Sequence, residues 1–226
     1  MVRFHLVISV LTSVAGTGLD YVLRRLYMTT FAMNDDGWLS GAGRMDSPNC
    51  DERPPHMVID LVVIHGISLP PGQYGGPWID ALFTNALPLS AHSYFSSLKG
   101  MHVSTHLLIR RDGMLVQYVP FHRRAWHAGA STWGGRMRCN DFSIGIELEG
   151  TDITPYTDIQ YIVLGNVIQI LRAAYPGITS ERIVGHSDIS PGRKTDPGPA
   201  FDWARLHLTL QGSDTRSIDS NPEIRA

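Results

Sequence analysis

The chain has 226 residues, of which 43% are hydrophobic and 18% charged. That is enough for one globular domain with appendages and no disulfide staples. A formal net charge of −2 excludes the basic footprint of a nucleic-acid or anionic-membrane binder.

Glycine (22) and proline (14) point to many loops. Cys50 and Cys139 stand far apart in no CxxC pair, either as two thiols in a reducing compartment or as one disulfide. Residues 1–32 differ in character from the rest of the chain. Arg3 precedes a short apolar run, Leu6 to Val10, and Ser13-Val14-Ala15 loosely meets the small-residue rule for signal cleavage. The run is too short to span a bilayer, and Leu19 to Tyr27 has no place in a signal. The segment reads as a poorly ordered extension, with an export signal as the alternative.

From Asp35 to Pro55 the chain is a polar, turn-rich arm anchored by Trp38 and Leu39. Met57 to Ile64 is nearly continuous β-branched and apolar sequence, which predicts a strand buried on both faces and ending at His65-Gly66. A histidine where such a strand emerges serves either a site or a satisfied core position. His5, His56, His92 and His207 carry no special role. A Pro/Gly loop (Ser68 to Pro77), a short helix (Trp78 to Thr84) and a second loop (Leu87 to Met101) come next. Asp112-Gly113 between the apolar runs at 105–110 and 114–119 then predicts a hairpin with both turn residues at positive φ.

Trp126 and Trp133 lie in a glycine-containing loop, as core plugs or as a platform for a ligand. Ser143 to Glu149 alternates strictly. It reads either as an edge strand with a wet face or as a pocket floor in which Gly145 leaves room for a ligand. Glu147 and Glu149 are both candidate general bases. Thr157-Asp158-Ile159-Gln160 opens a helix with a capping box, and apolar residues recur at helical spacing as far as Tyr175. Ile183 to Gly185 returns as a short strand delivering His186. Phe201 to Leu210 forms a last helix, and a flexible tail begins at Gln211. Buried strands alternating with helices predict an α/β fold, a central mixed β-sheet flanked by helices over residues 33–210.

The stretch from Gly185 to Gly198 sets an imidazole, an ammonium and a carboxylate in a Pro/Gly-rich loop that no helix or central strand can contain. A zinc hydrolase needs three protein ligands and one open position. His186 and Asp196 supply two, and His65 is the candidate third. Lys194 and Asp196, two apart, point the same way in an extended segment.

Ordered blocks make the pattern specific. Val63-Ile64-His65-Gly66-Ile67-Ser68-Leu69-Pro70-Pro71-Gly72, Gly75-Gly76-Pro77-Trp78-Ile79-Asp80, Leu108-Ile109-Arg110-Arg111-Asp112-Gly113, Ala125-Trp126-His127-Ala128-Gly129, Cys139 to Gly150 and Lys194 to Pro199 succeed one another in a familiar order. From about Asp35 to Leu208 the chain resembles the AmpD-type 1,6-anhydro-N-acetylmuramoyl-L-alanine amidases of the zinc amidase and peptidoglycan-recognition-protein fold. The resemblance implies a zinc ion (Zn2+) held by His65, His186 and Asp196, with Glu147 as catalytic carboxylate and Lys194 as catalytic lysine. It implies substrate contacts at Trp126 and Arg138. His102 stands where the family leads one to expect an arginine that grips the stem-peptide carboxylate, and Gly66 where an asparagine is expected. His106 and His127 are expected to line the pocket or back the ligands.

The implied activity is zinc-dependent hydrolysis of the amide between (1,6-anhydro-)N-acetylmuramic acid and L-alanine in peptidoglycan recycling. The expected substrate is a small muropeptide, met in the cytoplasm by a monomer with no nucleic-acid or stable membrane partner. An exported amidase acting on intact wall and a non-catalytic muropeptide-binding module are the alternatives.

Overall fold

A computed structural model describes residues 31–214. In chain order it contains β1 (Ala32–Met33), β2 (Leu39–Ser40), β3 (Gly43–Arg44), β4 (Cys50–Glu52), β5 (Leu61–Ile67) and helix α1 (Trp78–Phe83). Next come the strands β6 (Leu107–Ile109), β7 (Leu115–Gln117), β8 (Arg123–Ala125), β9 (Thr132–Trp133), β10 (Arg136–Met137) and β11 (Ser143–Glu149). Helix α2 (Asp158–Ala174), β12 (Ile183–Gly185), α3 (His186–Ile189) and α4 (Trp203–Asp214) complete it. Six strands form one sheet in the order β12-β5-β11-β6-β7-β3. Its pairs are parallel except for the β6–β7 hairpin. This is the expected α/β architecture with a mixed sheet.

The middle of the sheet is β5 against β11. Leu61, Val62, Val63 and Ile64 have no exposure, as a strand buried on both faces requires. The strand begins and ends later than its composition suggests, because its ladder with β11 continues through His65↔Glu147 to Ile67↔Glu149. β11 is a central strand rather than an edge, and all seven of its residues are buried. Its alternation separates two buried environments. Ile144, Ile146 and Leu148 enter the main core with α2 and α4. Ser143, Gly145, Glu147 and Glu149 share the opposite face, where Leu61, Val63 and His65 stand beside them.

Helix α2 begins as its sequence predicts, with Thr157 and Gln160 capping each other's backbone N–H groups. Gln160 is wholly buried, and its Nε2 also donates to Ile109 O and Glu149 O. The cap is thereby tied to β6 and β11. Tyr161, Leu164, Val167, Ile168 and Leu171 cover the sheet, each contributing about 1.5–3 kcal/mol for full burial. Helix α4 packs on α2 and runs to Asp214, beyond the boundary expected at Leu210. At the other end, Phe31 packs on the core and Ala32 pairs in β1, so both belong to the domain. Residues 1–30, on which the extension and export readings rest, lie outside the described residues, as does 215–226 of the expected tail.

Trp38 and Leu39 anchor the arm as expected. Arg53, further along it, is held by carbonyls instead of a carboxylate. Its guanidinium donates to Phe121 O, Asn140 O, Asp141 O and Ser143 O at 2.9 to 3.1 Å. Burial pushes Arg53 down to about 10.

The hairpin turn differs from the two-residue type. Gly113 has φ +85°, but Asp112 is not at positive φ. Gly113 N–H donates to Arg110 O and Arg110 N–H to Met114 O, so the glycine ends a longer loop. Both cysteines are free thiols. Among the described residues no helix is long and apolar enough to cross a membrane.

Candidate active site

β5, β11 and β12 run parallel, so their C-terminal ends open at one edge of the sheet. His65 is near the end of β5, and His186 begins α3 directly after β12. Asp196 comes from the Pro/Gly loop beyond α3, and Ser187 N–H donating to Asp196 O ties that loop back to His186. The three residues predicted as ligands converge. His65 Nδ1 lies 2.9 Å from His186 Nδ1 and 3.2 Å from Asp196 Oδ2, and His186 Nδ1 lies 3.1 Å from the same oxygen. Burial pushes His65 down to about 4, so its imidazole is neutral at pH 7.

A cleft of about 610 Å³ opens over this cluster. His65, His127, Glu147, His186, Lys194 and Asp196 line one part of its wall, and Leu69, Leu82, Phe83, Leu98 and Val103 another. Glu147 is 9% exposed, and its Oε2 has no hydrogen-bond partner among the described residues. Burial raises it well above the ordinary carboxylate range, the charge of Asp196 adds to that, and Lys194 opposes both. Lys194 is exposed at the cleft, so it and Asp196 face the same space, as their spacing predicts.

Glu149, the rival base, is a different kind of carboxylate. It is 1% exposed and accepts from Arg110, Gly75 N–H and Arg111 N–H. Arg110 also pairs with Asp80, so this buried network clamps the Gly75-Gly76 loop and α1 to the sheet. Glu149 is therefore neither solvated nor available to a substrate.

The residues implied as substrate contacts are more scattered. Trp126 is half-buried with its indole N–H donating to Asp51 Oδ1, and it is not among the residues lining the cleft. Arg138 is largely exposed, pairs with Asp141, and also lies outside the lining. His102 is exposed, whereas its neighbours Met101, Val103 and Ser104 line the cleft. Gly66 lines it beside His65. Trp133 packs on the small cluster around Leu61, Val63 and Phe142, as a core plug.

Ser143 and Gly145 share the face of Glu147, the arrangement in which the pocket-floor reading of this strand sets them. Sequence reasoning missed Arg193. Arg193 donates to Ala128 O, Ala130 O and Ser190 Oγ, fastening the loop that carries Asp196 to the segment after β8. No local pattern distinguishes it from a surface arginine. Gly145 makes room for a protein side chain instead of a ligand: a Cβ there would collide with His127 Cγ.

With this geometry in view, the comparisons with known proteins agree on one family. Residues 55–199 match the family described as N-acetylmuramoyl-L-alanine amidase. The chain is 57% identical over 184 residues to the 1,6-anhydro-N-acetylmuramyl-L-alanine amidase AmpD of Enterobacter cloacae, an alignment covering 81% of this chain and 98% of the relative. The crystal structure of a selenomethionine derivative of AmpD superposes with a TM-score of 0.77 at 56% identity, covering 79% of this chain and 99% of the other. AmiD of Escherichia coli, in complex with anhydro-N-acetylmuramic acid-L-Ala-D-γ-Glu-L-Lys, aligns with a TM-score of 0.50 at 26% identity, over 88% of this chain and 75% of that one.

Proposed function

Because the chain belongs to the N-acetylmuramoyl-L-alanine amidase family, we propose that it cuts the amide between 1,6-anhydro-N-acetylmuramic acid and L-alanine with a zinc ion held by His65, His186 and Asp196. The observation that carries this reading is the convergence of two imidazole nitrogens and a carboxylate oxygen beside a buried, unpartnered glutamate. Two neutral imidazoles and one carboxylate are a donor set suited to zinc, with a fourth position left for chemistry. When bound, zinc supplies Lewis acidity that polarises an amide carbonyl and makes water more acidic.

The chain's own groups do the rest. Glu147, with its affinity for a proton raised by burial, takes one from the attacking water and passes it to the leaving amine of L-alanine. Such acid/base help is worth ~10²–10⁴-fold. Lys194, at the cleft, faces the oxygen on which negative charge develops, and one positioned donor there contributes about 3 kcal/mol. The proposed substrate is a small muropeptide, its setting murein recycling in the cytoplasm, and the enzyme acts as a monomer.

Mass-spectrometric product analysis tests this. Zinc-loaded protein should release peptide from an anhydromuramyl tripeptide and leave purified sacculi largely uncut. Glu147→Gln should slow that release ~10²–10⁴-fold. Comparable cleavage of sacculi would move the assignment to intact wall. An uncut tripeptide in the presence of stoichiometric zinc would refute hydrolysis.

A further inference from the structure

Behind His65 lies a line of hydrogen-bonding groups that the proposed reaction does not use. His65 Nε2 is 2.9 Å from His127 Nδ1. His127 Nε2 is 3.1 Å from Ser143 Oγ, and Ser143 Oγ is 2.5 Å from Cys139 O. The line ends on a carbonyl, which can only accept. The single hydroxyl proton of Ser143 is therefore committed to Cys139 O, and Ser143 Oγ must accept from His127. That puts the proton of a neutral His127 on Nε2 and leaves a lone pair on Nδ1. His65 must then donate from Nε2, which leaves the lone pair of His65 on Nδ1, facing His186 and Asp196. His186 Nε2 faces Ala128 O at 3.2 Å and Arg193 Nη2 at 3.5 Å, so it has both an acceptor and a donor beside it and no comparable one-way line.

We propose that His127 and Ser143 are positioning residues that hold His65 in the Nε2–H tautomer, with its Nδ1 lone pair aimed at the metal position. The proposal rests on the zinc reading above, in which His65 is a ligand. Groups behind a metal-bound histidine fix its tautomer and ring orientation, and losing one costs ~10–100-fold in metal affinity or activity.

The arrangement is built into one strand face. Ser143 ends the line, Gly145 leaves the space its middle member occupies, and Glu147 stands next to His65 across the ladder. His127 Cγ, Nδ1 and Cδ2 all lie within 2.8 Å of the position a Cβ on residue 145 would take. His127 is therefore seated flat on the backbone of β11, and both its nitrogens point along the line. Its own backbone is held as well, since His127 N–H and Ala128 N–H both donate to Asn140 Oδ1.

Two measurements on the full chain test the proposal. In ¹⁵N-histidine-labelled, zinc-loaded protein, long-range ¹H–¹⁵N correlation should find His65 and His127 both as Nε2–H tautomers. A His127 proton on Nδ1 would overturn the assignment without any mutation. Zinc affinity, read by competition with a chromophoric chelator, should fall ~10–100-fold in His127→Leu. His127→Asn, whose side-chain oxygen falls near the position of Nδ1, should recover most of that loss, a rescue that mere space-filling would not produce. Zinc bound by the unmodified chain, and equally tightly by His127→Leu, overturns the positioning role alone. Failure of the unmodified chain to bind zinc overturns the metal assignment beneath it.

Discussion

Replacing Glu147 with glutamine should cost the enzyme its activity and make the metal-free protein more stable. The side chain is 9% exposed, its Oε2 finds no partner among the described residues, and Asp196 adds a second negative charge nearby. A buried polar group left unpaired costs about 1–3 kcal/mol, and more when charged. Glutamine keeps the shape and removes the charge, so the variant should gain about 1–3 kcal/mol at pH 7. In a domain of this size that raises Tm by about 2–12 °C. The pH dependence has a definite sign. The folded-state pKa of Glu147 is raised, so the native state binds this proton more tightly than the unfolded chain does, and the contribution of Glu147 to stability falls as pH rises above the unfolded value near 4.5. Below that value both states are protonated, Glu and Gln are nearly equivalent, and the gain of the variant disappears. Urea unfolding of both proteins between pH 4 and pH 8, with chelator present, reads this directly. A gain that is absent at pH 7, or equal at pH 4 and pH 7, would show that the carboxylate is solvated or paired.

Other outcomes rest on the same contacts. Arg110→Ala strands Glu149 at 1% exposure without its cation, and should destabilise by about 3–5 kcal/mol in urea titrations. Arg44→Ala breaks a pair whose side chains are 55% and 63% exposed, and should shift the urea midpoint far less than Arg110→Ala does. Gln160→Ala removes the reciprocal cap of α2 and two buried donations to β6 and β11. A loss of about 1–3 kcal/mol is expected in the same titrations. Zinc at a thousand times its dissociation constant should stabilise the folded chain by about 4.1 kcal/mol, seen as a calorimetric Tm shift that chelator reverses and Asp196→Ala abolishes.

Much of this was legible in the sequence because strong local signals met few competitors. The cap and periodicity of α2, the hairpin, and the buried run of β5 each stood on chemistry within a few residues. The convergence of His65, His186 and Asp196 was foreseeable from the proline- and glycine-rich stretch between Gly185 and Gly198, although its first turn, His186–Ile189, is helical where no helix was expected. The alternation of β11 leaves an edge strand and a pocket floor both open for a physical reason: it reports that two faces differ, and says nothing of whether the polar face meets water or buried partners. Ser143 and Glu149 meet buried partners, His127 and Arg110, which lie 16 and 39 residues away and leave no local trace. The turn at Gly113 was misjudged because an Asp-Gly pair fits both a two-residue turn and a longer loop, and only the ladder on either side distinguishes them.

Arg53 has a consequence for assembly. Its guanidinium joins carbonyls 68 to 90 residues further along the chain, so the arm that carries it is synthesised long before its acceptors exist. Contacts of such long sequence separation form slowly, because closing the loop must be met in entropy before any bond rewards it. The carbonyl of Ser143, at the start of β11, is among those acceptors. The wall that holds Ser143 is thus complete only when segments 90 residues apart have come together around one cation.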